Sequence, residues 1–258
     1  MPSYAVLGAT GNTGQALLHV LSQSVDNTIH AYCRLRSKLG HLSPGLIADP
    51  KVRVFEGALT DTNLLRSCIK DTRAVFMAVA VTGNVPGNTT AQDTARVVVK
   101  VLDNIRHADP TAKLPKLIVL SSSAIDDMLA RNIASFARNL LLFAESNLYN
   151  DLIEAEKFLR TQLDWLAITF IKPGALSFDV QRGHIVSEDV AESPVSFLDL
   201  AAGMVEVADR EDERYVGKNV GVNPARKGTK IPWYNAVLIV KGLLLRCFPG
   251  LYEFICAD

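Results

Sequence analysis

The chain has 258 residues, of which 48% are hydrophobic and 21% are charged, so it fits one large folded domain and not a disordered chain. Its 27 basic and 27 acidic residues balance, which argues against a nucleic-acid binder, because such proteins need surplus cations to displace counterions. The first residues predict a strand and no signal peptide, no apolar run is long enough to span a membrane, and the cysteines form no CxxC pair. We therefore expect a cytoplasmic protein without a bound metal.

Short apolar runs alternate with amphipathic segments over the first two thirds of the chain. Strands are predicted at 4–7, 28–33, 51–56, 74–81, 116–120 and 166–171. Helices are predicted between them at 13–24, 61–69, 90–107 and 125–163. This alternation predicts an α/β fold with a doubly wound parallel sheet, the Rossmann fold.

The first strand leads directly into the glycine turn, GATGNTG at residues 8–14, and then into a helix. Gly8 permits a tight turn, Gly11 lets backbone N–H groups approach a pyrophosphate, and Gly14 lets the helix pack closely on the strand. The strand and helix on either side favour a dinucleotide site, and a packing turn without ligand is the alternative. The expected cofactor contacts of the turn are Gly8, Thr10, Gly11, Asn12, Thr13 and Gly14.

The residues after the second and fourth strands carry further cofactor predictions. An acidic residue after the second strand would bind a ribose 2′-hydroxyl of NAD. The sequence has Arg34 and Arg36 there, and cations suit a 2′-phosphate. We expect NADP(H), with NAD(H) less favoured and a solvated basic loop as the alternative. Ala78 and Val79 end the fourth strand, where the nicotinamide ribose would pass.

After residue 174 the pattern becomes irregular, with a helix predicted at 196–209, a late strand at 217–222 and a terminal helix at 232–254 that is broken at Pro249. We divide the chain into an NAD(P)-binding Rossmann domain, residues 1–174, and a small C-terminal substrate-binding lobe, residues 175–258, integrated with it. No linker composition separates the two parts.

These features together resemble the atypical short-chain dehydrogenase/reductases, in their NmrA-like branch. The matching pieces are the glycine turn, Arg34, the serines at 121–123 and LDWLAITFIKPGAL at 163–176. The last piece resembles the strand and proline loop that close over the cofactor, which implies a contact at Pro173. Lys172, beside it, is expected at the surface, with a cofactor contact as the alternative.

A narrower resemblance is to the averufin-oxidase family of fungi. It rests on segments in the same order along the chain, among them VFEGALTD at 54–61, QDTARVVVKVL at 92–102 and SFLDLAAGMVEVADR at 196–210. The resemblance implies an oxidoreductase of aromatic polyketide pathways, with anthraquinone- or xanthone-type substrates. It does not name a substrate.

The proton relay of the wider family is missing in its usual form. That relay combines a serine after the fifth strand with Tyr-x-x-x-Lys on the next helix, where the lysine lowers the tyrosine pKa. Matching Glu156 to the family's frame puts Leu148 and Leu152 at the tyrosine and lysine positions. Tyr149 is one residue out of register, and Ile153 stands four residues after it.

Four residues remain as catalytic candidates. Ser122 or Ser123 is expected to bond a substrate oxygen, with a helix cap as the alternative use of serine. Tyr149 is the candidate proton donor, or otherwise a core tyrosine. Asp151 is the candidate partner of a ribose or a phenolic substrate, or otherwise a solvated acid.

Apolar and aromatic residues follow the serines and recur at the end of the chain. Those that suit a planar polycyclic substrate, unless they form core or a dimer face, include Phe136, Phe143, Phe178, Trp233, Tyr234, Phe248, Tyr252 and Phe254. We expect an NADP(H)-dependent oxidoreductase acting on an aromatic polyketide in fungal secondary metabolism. A non-redox cyclase, dehydratase or isomerase and an NADP-sensing regulator are the alternatives, and a homodimer is left open.

Overall fold

The computed structural model describes residues 1–81, 83–230, 234–248 and 250. Its strands are β1 Ser3–Leu7, β2 Thr28–Cys33, β3 Val52–Glu56, β4 Ala74–Met77, β5 Lys116–Leu120, β6 Ile168–Ile171, β7 Leu176–Ser177, β8 His184–Ser187, β9 Val195–Ser196 and β10 Asn219–Pro224. Its α-helices are α1 Asn12–Ser22, α2 Arg36–Leu42, α3 Pro44–Ile47, α4 Thr62–Ile69, α5 Thr90–Ala108, α6 Ser135–Ala144, α7 Ser146–Arg160, α8 Phe197–Asp209 and α9 Tyr234–Cys247.

Eight strands form one sheet in the order β3-β2-β1-β4-β5-β6-β10-β8. All pairings from β3 to β10 are parallel, and β8 joins the edge antiparallel to β10. The strand order reverses between β1 and β4, which creates a crevice at the carboxyl ends of these two strands. The predicted doubly wound Rossmann sheet is confirmed.

Side chains of β1 alternate between two apolar cores, as expected for a strand that is covered on both faces. Tyr4 and Val6 pack into the core beneath α1 and α8, whereas Ala5 and Leu7 pack into the core beneath α4, α5 and α7. The sheet is thus buried between two helical layers, and its strand ends are left to form the site.

The single helix predicted at 125–163 is wrong. After β5 the chain forms a 3-10 turn at Ser123–Ile125, then irregular backbone up to residue 134, and then α6 and α7 as separate helices. The Asp126 side chain accepts hydrogen bonds from the N–H groups of Met128 and Leu129, a local turn that competes with helix. Sequence reasoning also missed the two short helices α2 and α3.

Residues after 174 complete the same sheet. Strand β10 pairs with β6, and α8 packs against α1. The division at residue 174 stays a prediction about function, since the two parts share one sheet. The terminal helix is present as α9; the remainder of that prediction, with Trp233, Tyr252 and Phe254, lies outside the described residues. Within the described helices, none combines the length and apolar character needed to cross a membrane.

A buried ion pair joins the ends of β6 and α7. The Lys172 ammonium lies 2.9 Å from the Glu156 carboxylate and 3.6 Å from that of Asp126, and its side chain is 3% exposed. Ser121 donates a further hydrogen bond to Glu156 at 2.5 Å. The expectation that Lys172 is a surface residue is wrong, because these carboxylates hold it inside the protein.

Replacing the buried lysine, as in Lys172→Met, removes the cation that lies between Asp126 and Glu156 and leaves Glu156 with only its longer pair to Arg160, at 3.4 Å. We expect the free energy of unfolding at pH 7 to fall by about 3 kcal/mol, measured by urea denaturation. The control is Lys218→Met, which removes an exposed pair with Glu188 and should cost less than about 1 kcal/mol. Equal losses in the two variants would contradict the structural role of Lys172.

Candidate nucleotide-binding and active site

The glycine turn lies at the crevice between β1 and β4. Gly8 has a positive φ of 86°, and a side chain there would collide with the carbonyl oxygen of Ala78 at the end of β4. A side chain at Gly14 would collide with the carbonyl oxygen of Gly8. Only glycine at both positions allows α1 to start this close to the two strands.

The amino end of α1 is open toward the crevice. Gly11 is its N-cap residue and supplies no side-chain cap, and Gly11 and Asn12 are exposed whereas Thr13 is buried. The Gly11 N–H donates to the Gly8 oxygen at 2.9 Å, so the turn is held in place by its own backbone. The uncapped N–H groups of the first helical turn suit a pyrophosphate, which is attracted by the positive end of the helix.

The cations predicted after β2 are exposed beside this crevice. Arg34 ends the strand and Arg36 begins α2. In the part of the chain that the structure describes, neither guanidinium forms an ion pair. The Glu56 carboxylate at the end of β3 accepts a hydrogen bond from the Arg36 backbone N–H at 2.9 Å. This bond to the start of α2 explains the position of the Glu56 carboxylate.

The ends of β4 and β6 form the far side of the crevice. Ala78 contacts the glycine turn, and Val79 lines a small cavity with Ser121 and Leu152. The Pro173 carbonyl accepts a hydrogen bond from the Ser123 N–H at 3.0 Å, which holds the proline loop against the end of β5. These residues stand where a nicotinamide would follow a pyrophosphate bound at α1.

Two of the catalytic candidates come together at the end of β5. The Ser122 hydroxyl accepts from the Ala124 N–H at 3.2 Å, which is the capping role, and it is close enough to the Tyr149 hydroxyl to lower the pKa of that phenol. Burial raises the pKa of Tyr149 to about 12, and the hydrogen bond with Ser122 opposes the shift. Tyr149 is thus a neutral phenol at physiological pH. Ser123 is fully buried and is not brought to Tyr149 by any described contact.

Asp151 is tied to α5. Its carboxylate accepts hydrogen bonds from the N–H groups of Ala91 and Gln92 and from the side chains of Asn88 and Gln92, at 2.8–3.2 Å. Four donors occupy the four acceptor positions of a carboxylate. Asp151 therefore caps the start of α5 and has no oxygen left for a substrate. Because Asp151 is only 1% exposed, the alternative of a solvated acid is wrong as well.

Sequence reasoning missed one acidic residue beside Tyr149. Glu145, between α6 and α7, is 6% exposed, and neither of its carboxylate oxygens has a hydrogen-bond partner among the described residues. Burial raises its pKa from an ordinary value of 4.5 to about 7. The available signal was a lone acidic residue in the apolar run that leads to Tyr149, with both at helical spacing.

Comparison with known proteins agrees with this geometry. A family model described as NAD(P)H-binding matches residues 8–211. The oxidoreductases aflX of Aspergillus parasiticus and ordB of Dothistroma septosporum are each 50% identical over 254 residues, covering 98% of this chain and 95% of each relative.

The fold also matches solved structures. Two structures of a short-chain dehydrogenase/reductase from Veillonella parvula, the second in complex with NADP, have TM-scores of 0.67 and 0.64. They are 17% and 18% identical to this chain, cover 90% and 88% of it, and are themselves covered to 99% and 96%.

A glycine turn at the switch point of a parallel sheet defines a dinucleotide-binding protein of the Rossmann type. The chain belongs to the NAD(P)H-binding family and, within it, to the family of these fungal oxidoreductases. The expected membership of the atypical short-chain dehydrogenase/reductases, close to the averufin-oxidase family, is confirmed. The expectation of an NAD(P)-dependent oxidoreductase is confirmed with it.

The Glu145 carboxyl makes stability depend on pH. The folded protein keeps this proton up to about pH 7, whereas an unfolded chain releases it near 4.5. The free energy of unfolding therefore falls as pH rises between these values. We expect Glu145→Gln to remove that fall and to be more stable than the parent by about 1–3 kcal/mol at pH 8.

Urea denaturation at pH 4.5 and pH 8 measures this difference, which should nearly vanish at the lower pH. Glu154→Gln makes the same charge change at an exposed position of α7 and should leave stability within about 0.5 kcal/mol of the parent. A Glu145→Gln variant that is less stable than the parent at pH 8 would show that the carboxylate has a stabilising partner.

Proposed function

We propose that the protein is an NADP(H)-dependent oxidoreductase that acts on an aromatic polyketide, of anthraquinone or xanthone type, in fungal secondary metabolism. The observation that carries the proposal is the open amino end of α1 at the same sheet edge as the Ser122–Tyr149 pair. The amino end of α1 suits a dinucleotide, and the Ser122–Tyr149 pair suits proton transfer. Relatives at 50% identity that are oxidoreductases of filamentous fungi support the setting.

The residues present fit a bound NADP. The glycine turn leaves a cradle that side chains at Gly8 or Gly14 would fill, and the first turn of α1 offers uncapped N–H groups to the pyrophosphate. Arg34 and Arg36 would hold the 2′-phosphate. The nicotinamide end would rest against a surface formed by Ala78, Val79 and Pro173.

Support for an aromatic substrate comes from exposed apolar side chains near the proline loop. Phe178 is 65% exposed, and its ring lies 4.8 Å from that of Phe197 and 5.8 Å from that of Tyr234. Phe136 and Phe143 on α6 are also exposed. Such rings bind planar polycyclic molecules by stacking and by burial of apolar area.

The exposed apolar side chains of α6 and α9 are also the surface that we propose for a homodimer.

NADPH, when bound, would supply a hydride to an electron-poor carbon of the substrate. Tyr149 donates its proton to the substrate oxygen that gains the electron pair. Ser122, beside the phenol, hydrogen-bonds the same oxygen and orients it. A hydroxylated quinone needs less proton assistance than a simple ketone, because its reduced form is a stable phenolate.

The free, buried thiols of Cys33 and Cys68 favour a reducing compartment, in keeping with a cytoplasmic location.

Cofactor preference depends on the two exposed arginines. We expect the double variant Arg34→Ala, Arg36→Ala to raise the Kd for NADPH about 100-fold or more, because each of the two lost charge-assisted hydrogen bonds costs about 1.5–3 kcal/mol. The Kd for NADH should change less than about threefold. Titration of nicotinamide fluorescence gives both constants. Lys113→Ala, an exposed cation before β5, is the control. Equal losses for the two cofactors would refute the assignment of the 2′-phosphate site.

The oxidoreductase proposal is tested with NADPH and a dihydroxyanthraquinone under anaerobic conditions. We expect NADPH consumption that matches the reduced probe detected by mass spectrometry. Tyr149→Phe should lower the turnover rate about 100-fold or more with unchanged cofactor affinity. Conversion of the probe without any cofactor would favour a non-redox enzyme, and a lack of NADPH or NADH binding at millimolar concentration would refute the proposal.

A further inference from the structure

The junction of α6 and α7 holds buried polar atoms that the fold does not use. Both oxygens of Glu145 and the hydroxyl of Ser146 have no hydrogen-bond partner among the described residues. Buried polar groups are nearly always paired, so unpaired ones require a reason. A charged carboxylate in such a place lowers stability and gives no packing benefit that a leucine would not give.

The junction is covered by α9, and Glu145 beneath it is 6% exposed. A side chain at Gly242 would press on a carboxylate oxygen of Glu145, so the backbone of α9 covers the carboxyl directly. The fully buried side chain of Asn84 accepts from the Asn147 N–H at 2.8 Å and donates to the Gly242 carbonyl at 3.5 Å. This amide fixes α9 to the start of α7, and with it the cover over Glu145.

Glu145 and Tyr149 lie on one face of the chain at the start of α7. The Tyr149 N–H donates to the Glu145 carbonyl at 3.0 Å, so the helical register holds across these four residues. Side chains at this spacing are neighbours, with Cβ atoms about 5–6 Å apart. The Glu145 charge contributes to the raised pKa of Tyr149, as expected for adjacent groups.

We propose that Glu145 is the proton-exchanging partner of Tyr149, so that the relay of this protein runs from a buried carboxyl, placed one helical turn before the tyrosine, through the phenol to the substrate. The proposal rests on the proposed function and deepens it. In the relatives that it resembles, a lysine one turn after the tyrosine assists the phenol; here that position, Ile153, is apolar.

In the reductive direction the proposed reaction moves one hydride and two protons. The substrate carbon gains a hydride and its oxygen gains the electron pair of the carbonyl bond. The oxygen takes the proton of the Tyr149 hydroxyl, and the tyrosinate takes the proton of the Glu145 carboxyl through one bridging water, because no described hydrogen bond joins the two side chains directly. Because the pKa of the phenol is about 12 and that of the carboxyl is about 7, the second transfer is strongly downhill. The carboxylate recovers a proton from solvent when product leaves.

The charged groups on the neighbouring elements do not compete for this proton. On α6, Arg138 pairs with Asp127 and donates to the Ala124 carbonyl. On α9, Arg246 lies over the Phe143 ring, and Lys241 is the only other charged residue among 234–248. None of them contributes to the pKa of Glu145, for which burial is the cause. On α7, Asp151 is bound to α5.

The first arm of the test uses the ligand-free protein. At pH 6 the infrared carbonyl band of a protonated carboxyl should be present in the parent and absent in Glu145→Gln. Ultraviolet titration, with Tyr149→Phe identifying the signal, should place ionisation of Tyr149 at lower pH in Glu145→Gln than in the parent. A Glu145 that ionises at its ordinary value, or a Tyr149 titration unchanged by the substitution, would overturn the pairing.

The second arm uses NADPH and the dihydroxyanthraquinone in a rapid-mixing experiment. Glu145→Gln should keep a first turnover at the parent rate, because Tyr149 starts with its proton, and then turn over about 10–100-fold more slowly. The decline of the parent rate above pH 7 should disappear in this variant. Glu154→Gln should behave as the parent. Parent-like steady-state turnover with the parent's pH profile in Glu145→Gln would refute the relay.

The two arms separate the inference from the function on which it rests. If the parent never oxidises NADPH with the probe while the ligand-free titrations are coupled, the proposed function fails and the proton-exchanging pair stands. If the parent turns over and the coupling is absent, the proposed function stands and the relay is refuted. A fall in both the first turnover and the thermal stability of Glu145→Gln would assign Glu145 to structure and overturn the inference.

Discussion

The close approach of α1 to the ends of β1 and β4 is the constraint on which the site depends. It requires that Gly8 and Gly14 carry no side chains, since a Cβ at either position would strike a backbone carbonyl. Because the helix starts this close, its first N–H groups point into the crevice where the strand order reverses. A larger residue at either glycine would move α1 away and separate the phosphate site from Ser122 and Tyr149.

Two buried carboxyls near the start of α7 show how environment separates structure from chemistry. Asp151 accepts four hydrogen bonds at the start of α5, and these fix its position. Glu145 is as well buried but has no described partner, and it keeps its proton up to about pH 7. Hydrogen bonds occupy the oxygens of the first group, whereas burial without a described partner disfavours the charge of the second. The second can therefore exchange a proton near neutral pH.

The sequence predicted the parts of the molecule that local patterns determine. Strands β2 and β5 have the bounds that their apolar runs predict, and the glycine turn lies where its spacing places it. The irregular backbone before α6 was missed because the segment remains apolar, while an Asp126 turn interrupts the helix there. The roles of Lys172, Asp151 and Glu145 depend on partners far along the chain or on burial by α9, which no local pattern reveals.

The burial of Lys172 explains why a carboxyl takes part in the proposed relay. Lys172 ends β6 close to the site, but Glu156 and Asp126 neutralise it inside the protein. No described contact brings its charge to Tyr149, and burial raises the pKa of that phenol. A neutral phenol is a donor and a poor base, so the site is suited to giving a proton to a substrate oxygen. Such a donor needs a group that resupplies its proton, and a carboxyl that titrates near pH 7 can do so without stabilising the tyrosinate.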